Sequence, residues 1–282
     1  MQKVKEGIMH ALFLICACVS ILAVVLICVY LFASGVPAIG EIGVTDFLFG
    51  TKWKPSSGYY GIFPMIIGSI LVTGIAVVIG VPIGILCAVF MSHYCPKKLY
   101  RFVKPAINLL AGIPSIVYGF FGLVVIVPIM KDLFGGSGKS LLTAGILLGI
   151  MILPTVIKTT ESSLNAVPKS YYEGALALGA THERSVFFAS LPAAKSGILA
   201  AIILGVGRAI GETMAVILVA GNQTVIPKSI TSGIRTLTSN IVMEMGYAGG
   251  LHREALIATG VVLFVFILII NLCFSALKRR KD

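Results

Sequence analysis

The chain has 282 residues, of which 57% are hydrophobic and 12% charged, with a mean hydropathy of +1.02. Soluble domains carry roughly 25% charged residues, so a soluble globular protein is excluded and an integral membrane protein indicated. The net charge of +11 does not form a nucleic-acid-binding patch, because the cations alternate by loop. Fourteen Lys and Arg fall in the N-terminus, Ser92–Lys104, Lys158–Lys195 and the tail, against seven in the intervening loops, with Arg208 alone inside a span. The positive-inside bias then predicts a multi-pass membrane protein with both termini in the cytoplasm.

Runs of about 18 or more apolar residues predict six spans: Ala11–Ala33, Ile62–Met91, Phe102–Met130, Leu141–Ile157, Ala194–Ala220 and Ala255–Leu277. The expected organisation is a cytoplasmic N-terminus over 1–10, a single transmembrane domain over 11–277 and a basic cytoplasmic tail over 278–282. The first run follows Lys3 and Lys5 but, at 23 residues, is longer than a signal-peptide core of roughly 7–15. It is predicted to be a retained anchor. The outer loops Ser34–Gly61 and Gly221–Glu254 are long enough for small structured caps.

The third span contains "GIPSIVYGFFG", with Pro114 beside Gly112. Proline removes an i→i−4 bond and kinks a helix. Freed backbone groups at membrane depth survive only against protein or a water-filled cavity, so either a packing kink or part of a substrate path fits. After it, "GGSGKS" (Gly135–Ser140) imitates half a phosphate-binding loop. The full pattern needs glycine at Leu133, and no strand precedes it, so a Gly/Ser turn is predicted.

Between spans four and five lies the segment 161–192. Pro168 suits a first helical turn, Gly179 a left-handed C′ position, and Thr181 an N-cap with Glu183 in the turn that follows. Two short helices across one glycine are predicted, the second ending before Pro192. They suit either a surface-lying amphipathic hairpin or a docking platform.

In the fifth span, "GVGRAIGETMAV" (Gly205–Val216) carries Arg208 and Glu212 near mid-membrane, where each charge costs on the order of 2.5–3.5 kcal/mol. Spaced i, i+4 on a continuous helix they would share one face. One reading is a buried ion pair that fixes helix packing. The other is a guanidinium facing a translocation path, its planar fork matched to a tetrahedral oxyanion. In that reading Glu212 tethers Arg208 or weakens its grip, and Thr213 and Ser115 supply hydroxyls.

Nothing in the chain forms a catalytic or metal-ligating set. His10, His93, His182 and His252 are scattered, and Cys16, Cys18, Cys28, Cys87, Cys95 and Cys273 suggest neither disulfides nor zinc.

The loop resembles the EAA loop of ABC importer permeases, patterned E-A-A-x3-G-x9-I-x-L-P. Glu173, Ala175, Gly179, Leu191 and Pro192 stand at those spacings, with Gly174 in place of the first alanine and Ala189 in place of the isoleucine. "LAGIPSIVYGFFG", "GRAIGETMAV", "FGTKWKP" and "GVPIGILCAVF" further resemble phosphate importer permeases of the PstC type, among the binding-protein-dependent transport system inner-membrane components. This resemblance implies an all-α type I permease fold with a cytoplasmic coupling hairpin. It implies phosphate import driven by a separate ATPase dimer that uses ATP and Mg, with no cofactor bound by this chain. A second, PstA-type permease subunit, an extracytoplasmic phosphate-binding protein and membrane lipid are the implied partners; nucleic acid is not. The rival readings are a permease for sulfate, molybdate or phosphonate, and an ion-coupled secondary transporter. The second leaves the EAA-like spacing unexplained.

Overall fold

The computed structural model describes residues 2–279, with side chains described from Glu6 to Cys273 except at Ile8. Most of the basic tail predicted at 278–282 therefore lies outside the described residues. In chain order the elements are α1 (Gln2–Ile42), α2 (Val44–Phe49), β1 (Trp53–Lys54), β2 (Tyr59–Tyr60), α3 (Phe63–Val89) and α4 (Lys97–Gly112). They continue with α5 (Ser115–Phe121), α6 (Val127–Phe134), α7 (Leu141–Asn165), α8 (Lys169–Ala177), α9 (His182–Ser185) and α10 (Leu191–Ala193). The last four are α11 (Lys195–Gly211), α12 (Met214–Val219), α13 (Leu237–Glu244) and α14 (Leu251–Arg279). Short π-helical turns continue α3 through Tyr94 and join α5 to α6 and α9 to α10.

Among the described residues, five helices are long and apolar enough to cross a membrane: Met9–Ile42, Phe63–Tyr94, Ser115–Phe134, Leu141–Asn165 and Leu251–Cys273. A sixth arises if His182–Ala193 and Lys195–Gly211, bent by 70° at Ala194, count together. The third span thus begins at Ser115 rather than at Phe102. The apolar run misled there because α4 is a separate amphipathic helix whose cations Lys97, Lys98, Arg101 and Lys104 precede an apolar stretch. The fourth span is longer than expected, because α7 continues as a helix past Lys158 and Glu161.

Small residues bring the central helices together, as in other membrane bundles. α3 and α7 run parallel, with Gly80 against Gly149 and Ile152, Gly84 against Val156, and Gly145 against Ile75. α11 runs antiparallel along α7, with Gly205 on Val156 and Gly197 on Ser163. α5 lies beside α12, where Gly119 meets Ala215 and Gly122 meets Val219. The main core comprises Val72, Leu147, Met151, Ile152, Val156 and Val216. α1 packs on α14 through Gly35 and Val261 and through the Phe32–Phe264 ring pair, and its apolar surface from Met9 to Ile27 is exposed.

One end of the bundle is capped by the β1–β2 hairpin and α13; the other carries the α8–α10 hairpin, the start of α1 and the end of α14. "GGSGKS" sits at the cap end. Gly135, Gly136 and Gly138 have φ of +75°, +71° and +70°, and the Ser140 hydroxyl accepts from Thr143 N to cap α7. It is a glycine turn feeding a helix, as the sequence predicted.

Candidate functional site

Two spans break beside each other. After Gly112 the chain is extended at Ile113 (φ −70°, ψ 127°), as steric contact with the next residue's proline ring requires. The carbonyl of Leu110 at this break accepts from Ile113 N at 3.4 Å and from Tyr118 Oη at 2.8 Å. The fifth span breaks at Gly211. Glu212 is extended (φ −70°, ψ 135°), and the helix restarts after Thr213 as α12. Thr238 of the cap donates its hydroxyl to Glu212 O at 3.0 Å, and Thr213 donates to Gly211 O at 3.3 Å. Both breaks are therefore satisfied by protein groups, as buried backbone must be.

This geometry overturns the shared face expected of Arg208 and Glu212, because the helix ends between them. Arg208 stands in the last turn of α11. Glu212 lies beyond it, and Glu212 Oε1 accepts from Ala215 N at 3.3 Å. The carboxylate thus caps α12, satisfying one of its orphan amides. Arg208 is in no ion pair among the described residues. It is exposed, and its Nη1 donates to Thr155 Oγ1 of α7 at 3.4 Å. Ser115, the first residue of α5, and Thr213 are both half-buried at the two breaks. Thr155 was not singled out in the sequence, since its partner lies 53 residues away.

At the opposite end, the α8–α10 hairpin carries Glu173 and Ala175 on α8, Gly179 in the turn, and Leu191 and Pro192 on α10. Gly179 has φ +85°. Gly179 N donates to Leu176 O at 2.9 Å and Ala180 N to Ala175 O at 3.1 Å, which is the paired pattern of a Schellman stop. Thr181 accepts from Arg184 N at 3.3 Å and starts α9. Leu178 at the tip is 92% exposed. Tyr172 of α8 hydrogen-bonds His182 Nδ1 at 2.6 Å, and Tyr94 at the end of α3 packs edge-on against His182. These contacts tie the hairpin to the second span. The second helix does not end before Pro192, as expected, but runs to Ala193. The π-turn at Val186–Ser190 widens the ladder just where Pro192 lacks an N–H, so the proline is tolerated.

Above the hairpin, Glu161 on α7 is buried and accepts from Tyr100 Oη at 2.5 Å and Lys104 Nζ at 3.1 Å of α4. The hydrogen bond to Tyr100, then that to Glu161, holds the Lys104 ammonium above its ordinary pKa.

The cap contains a charged cluster that sequence reasoning missed. Glu244 Oε1 accepts from Arg235 Nη1 at 2.5 Å, while Glu244 Oε2 is hydrogen-bonded to Trp53 Nε1 and His252 Nε2, each at 2.9 Å. Arg235 also donates to Asn240 Oδ1 at 2.9 Å and Asn222 O at 3.2 Å. Burial acts to raise the Glu244 pKa, but the hydrogen bonds from Trp53, Arg235 and His252 together hold it below the usual carboxylate range. No sequence signal links these residues, whose hydrogen-bonded pairs are 5 to 191 positions apart.

Comparison with known proteins adds four findings. Residues 80–282 match the family described as "Binding-protein-dependent transport system inner membrane component". The chain is 39% identical to the probable ABC transporter permease protein YqgH of Bacillus subtilis, over 94% of this chain and 89% of that protein. It is 37% identical to the phosphate transport system permease protein PstC of Haemophilus influenzae, over 78% of this chain and 76% of that one. Its fold is similar to a chain of the MetNI methionine ABC transporter in an inward-facing conformation, with a TM-score of 0.66 at 21% identity, covering 82% of this chain and all of that one.

Proposed function

The chain belongs to the family of binding-protein-dependent transport system inner membrane components, and from that membership we propose that it is the permease half-channel of an ATP-driven phosphate importer. The coarser statement, an ABC importer permease in the membrane, follows from the family and the fold together. Phosphate is the finer reading, supported by PstC permeases of several bacteria at 34–37% identity. The single observation that carries it is Arg208, a guanidinium exposed at a helix break within a span, with no acidic partner among the described residues.

An unpaired cation at that depth is costly unless it faces water or an anion, and a guanidinium offers a planar fork that matches phosphate oxygens bidentately. Thr155 orients the fork from the neighbouring helix. Glu212 sits outside Arg208's reach and fixes the start of α12, so it shapes the site rather than neutralising it. Thr213 and Ser115 flank the two breaks as hydroxyl donors.

In this reading the α8–α10 hairpin faces the cytoplasm and docks on an ATPase dimer through Glu173, Ala175, Gly179, Leu191 and Pro192. The exposed Leu178 tip supplies an apolar anchor. The rigid Schellman turn and the Tyr172–His182–Tyr94 contacts would carry ATPase closure into the second span as a rigid-body movement. ATP and Mg belong to that partner, a PstA-type permease completes the path, and the cap faces an extracytoplasmic phosphate-binding protein. The chain itself then performs no covalent chemistry.

The test is uptake of radiolabelled phosphate by the complete importer in proteoliposomes. Arg208→Gln is expected to abolish uptake while the complex still assembles and hydrolyses ATP. Full uptake by that variant would remove Arg208 from the path.

A further inference from the structure

One face of α7 continues from the Arg208 contact toward the hairpin end. Thr155, Lys158, Ser162 and Asn165 follow each other at spacings of three, four and three residues, which places them within one narrow arc of the helix. α11 packs on one flank of that arc through Val156 and Ser163, and α4 on the other through Ile157 and Glu161. The polar arc is half-buried at Thr155 and Lys158 and exposed at Ser162 and Asn165. A cleft of about 470 Å³, lined by Lys104, Lys158, Ser162 and Asn165 among others, opens along it. Lys104 is committed to Glu161, which leaves that pair neutral. Lys158 is half-buried, seven residues and so about 10 Å inside the end of α7. It has no ion-pair partner among the described residues, where the pairs are Lys104–Glu161, Arg235–Glu244 and His252–Glu244.

We propose that Lys158 is a second anion contact in the translocation path, which takes a tetrahedral oxyanion from Arg208 and passes it toward the hairpin end over Ser162 and Asn165. The proposal rests on the reading of Arg208 given above. A lone ammonium held within a span is unfavourable unless a water-filled cavity or an anion faces it, and here it borders a cleft on the same arc of α7 as Thr155, the Arg208 contact. The order of the two cations also suits release. Arg208 offers a geometrically specific fork, whereas Lys158 offers a flexible, strongly hydrated point charge. Successive sites that are individually weak allow an ion to enter and leave.

The experiment uses the complete importer in proteoliposomes, with phosphate and sulfate tested in parallel and every variant read on whichever anion the wild type moves. Lys158→Met and Lys158→Gln are expected to lower uptake about tenfold, with assembly and thermal stability unchanged. Lys158→Arg, which keeps the charge, is expected to restore most of the rate, a rescue that a purely structural role would not show. Wild-type uptake by both neutral variants, beside abolished uptake in Arg208→Gln, overturns the Lys158 assignment and leaves Arg208 standing. Wild-type uptake in Arg208→Gln as well removes both. A loss that Lys158→Arg fails to rescue also overturns the proposal.

Discussion

Two arginines divide this molecule. Arg235 in the cap is nearly enclosed, with 12% side-chain exposure, and Glu244, Asn240 and a backbone carbonyl take its donors. Arg208 at the break in the fifth span is exposed, has one long hydrogen bond to a threonine hydroxyl, and leaves the nearest carboxylate in sequence to cap another helix. The first is a paired site, whose Nε and Nη1 donors and counter-charge hold the cap together. The second is unsaturated, and unsaturation in an otherwise apolar span is what a site for an anion requires. The sequence suggests the reverse assignment, since Arg208 and Glu212 stand four apart while Arg235 and Glu244 stand nine apart.

Stability measurements can break that contrast. The largest expected effect is at the cap: Glu244→Gln leaves Arg235 buried without its counter-charge, and removing one partner of a buried pair costs about 3–5 kcal/mol. The purified complex should melt markedly earlier, whereas Arg208→Gln should stay within about 0.5 kcal/mol of wild type, as for exposed positions. Equal melting of the two variants would erase the distinction. Next comes Gly179→Val, which forces a β-branched residue into left-handed backbone at a cost of about 1–2 kcal/mol. ATP-driven uptake should fall while the spans melt normally, and Gly179→Asn should retain more activity. Normal coupling in the valine variant would dissociate the hairpin turn from transport.

A smaller effect is expected of Thr155→Val, which deletes the hydroxyl that orients Arg208. A neutral hydrogen bond contributes about 0.5–1.5 kcal/mol, so uptake should drop roughly two- to tenfold. An unchanged rate would show that Arg208 needs no positioning from α7. The smallest effect concerns acid. The folded-state pKa of Glu244 lies below its ordinary 4.5, so its stabilisation is complete above that value and is lost as pH falls through the lower one. Trp53→Phe removes one of the three donors and shrinks the depression. Melting followed from about pH 7 to 4 should therefore show acid loosening at a higher pH in this variant, and an unshifted profile would dismiss the Trp53 bond as a contributor.

Much of the architecture was readable along the chain. The apolar runs located the spans to within a few residues at most ends, because a lipid-facing helix must be apolar over its whole length. Gly179 and Thr181 announced the hairpin, because their roles are set by their own φ or by an amide three residues away. Pro114 marked its break for the same local reason. The ends of the third span were misplaced because α4 supplies an apolar stretch that lies against α7 rather than completing the membrane span. The break at Glu212 carried no such mark. Gly211 permits it, but the cap's Thr238, which reaches the Glu212 carbonyl, comes from 26 residues downstream.

The sequence by itself determined the membrane class, the positions of most helices, the glycine stop of the hairpin and the presence of a costly arginine in the fifth span. All of these depend on composition, periodicity or bonds between near neighbours. Only the tertiary structure decided which arginine is paired, that Glu212 caps α12, that Thr155 meets Arg208, and that Lys158 borders a cleft between α7 and α4. Those outcomes depend on which helix packs beside which and on where a span breaks. A side chain's partner across such a gap is fixed by geometry that residue spacing does not encode.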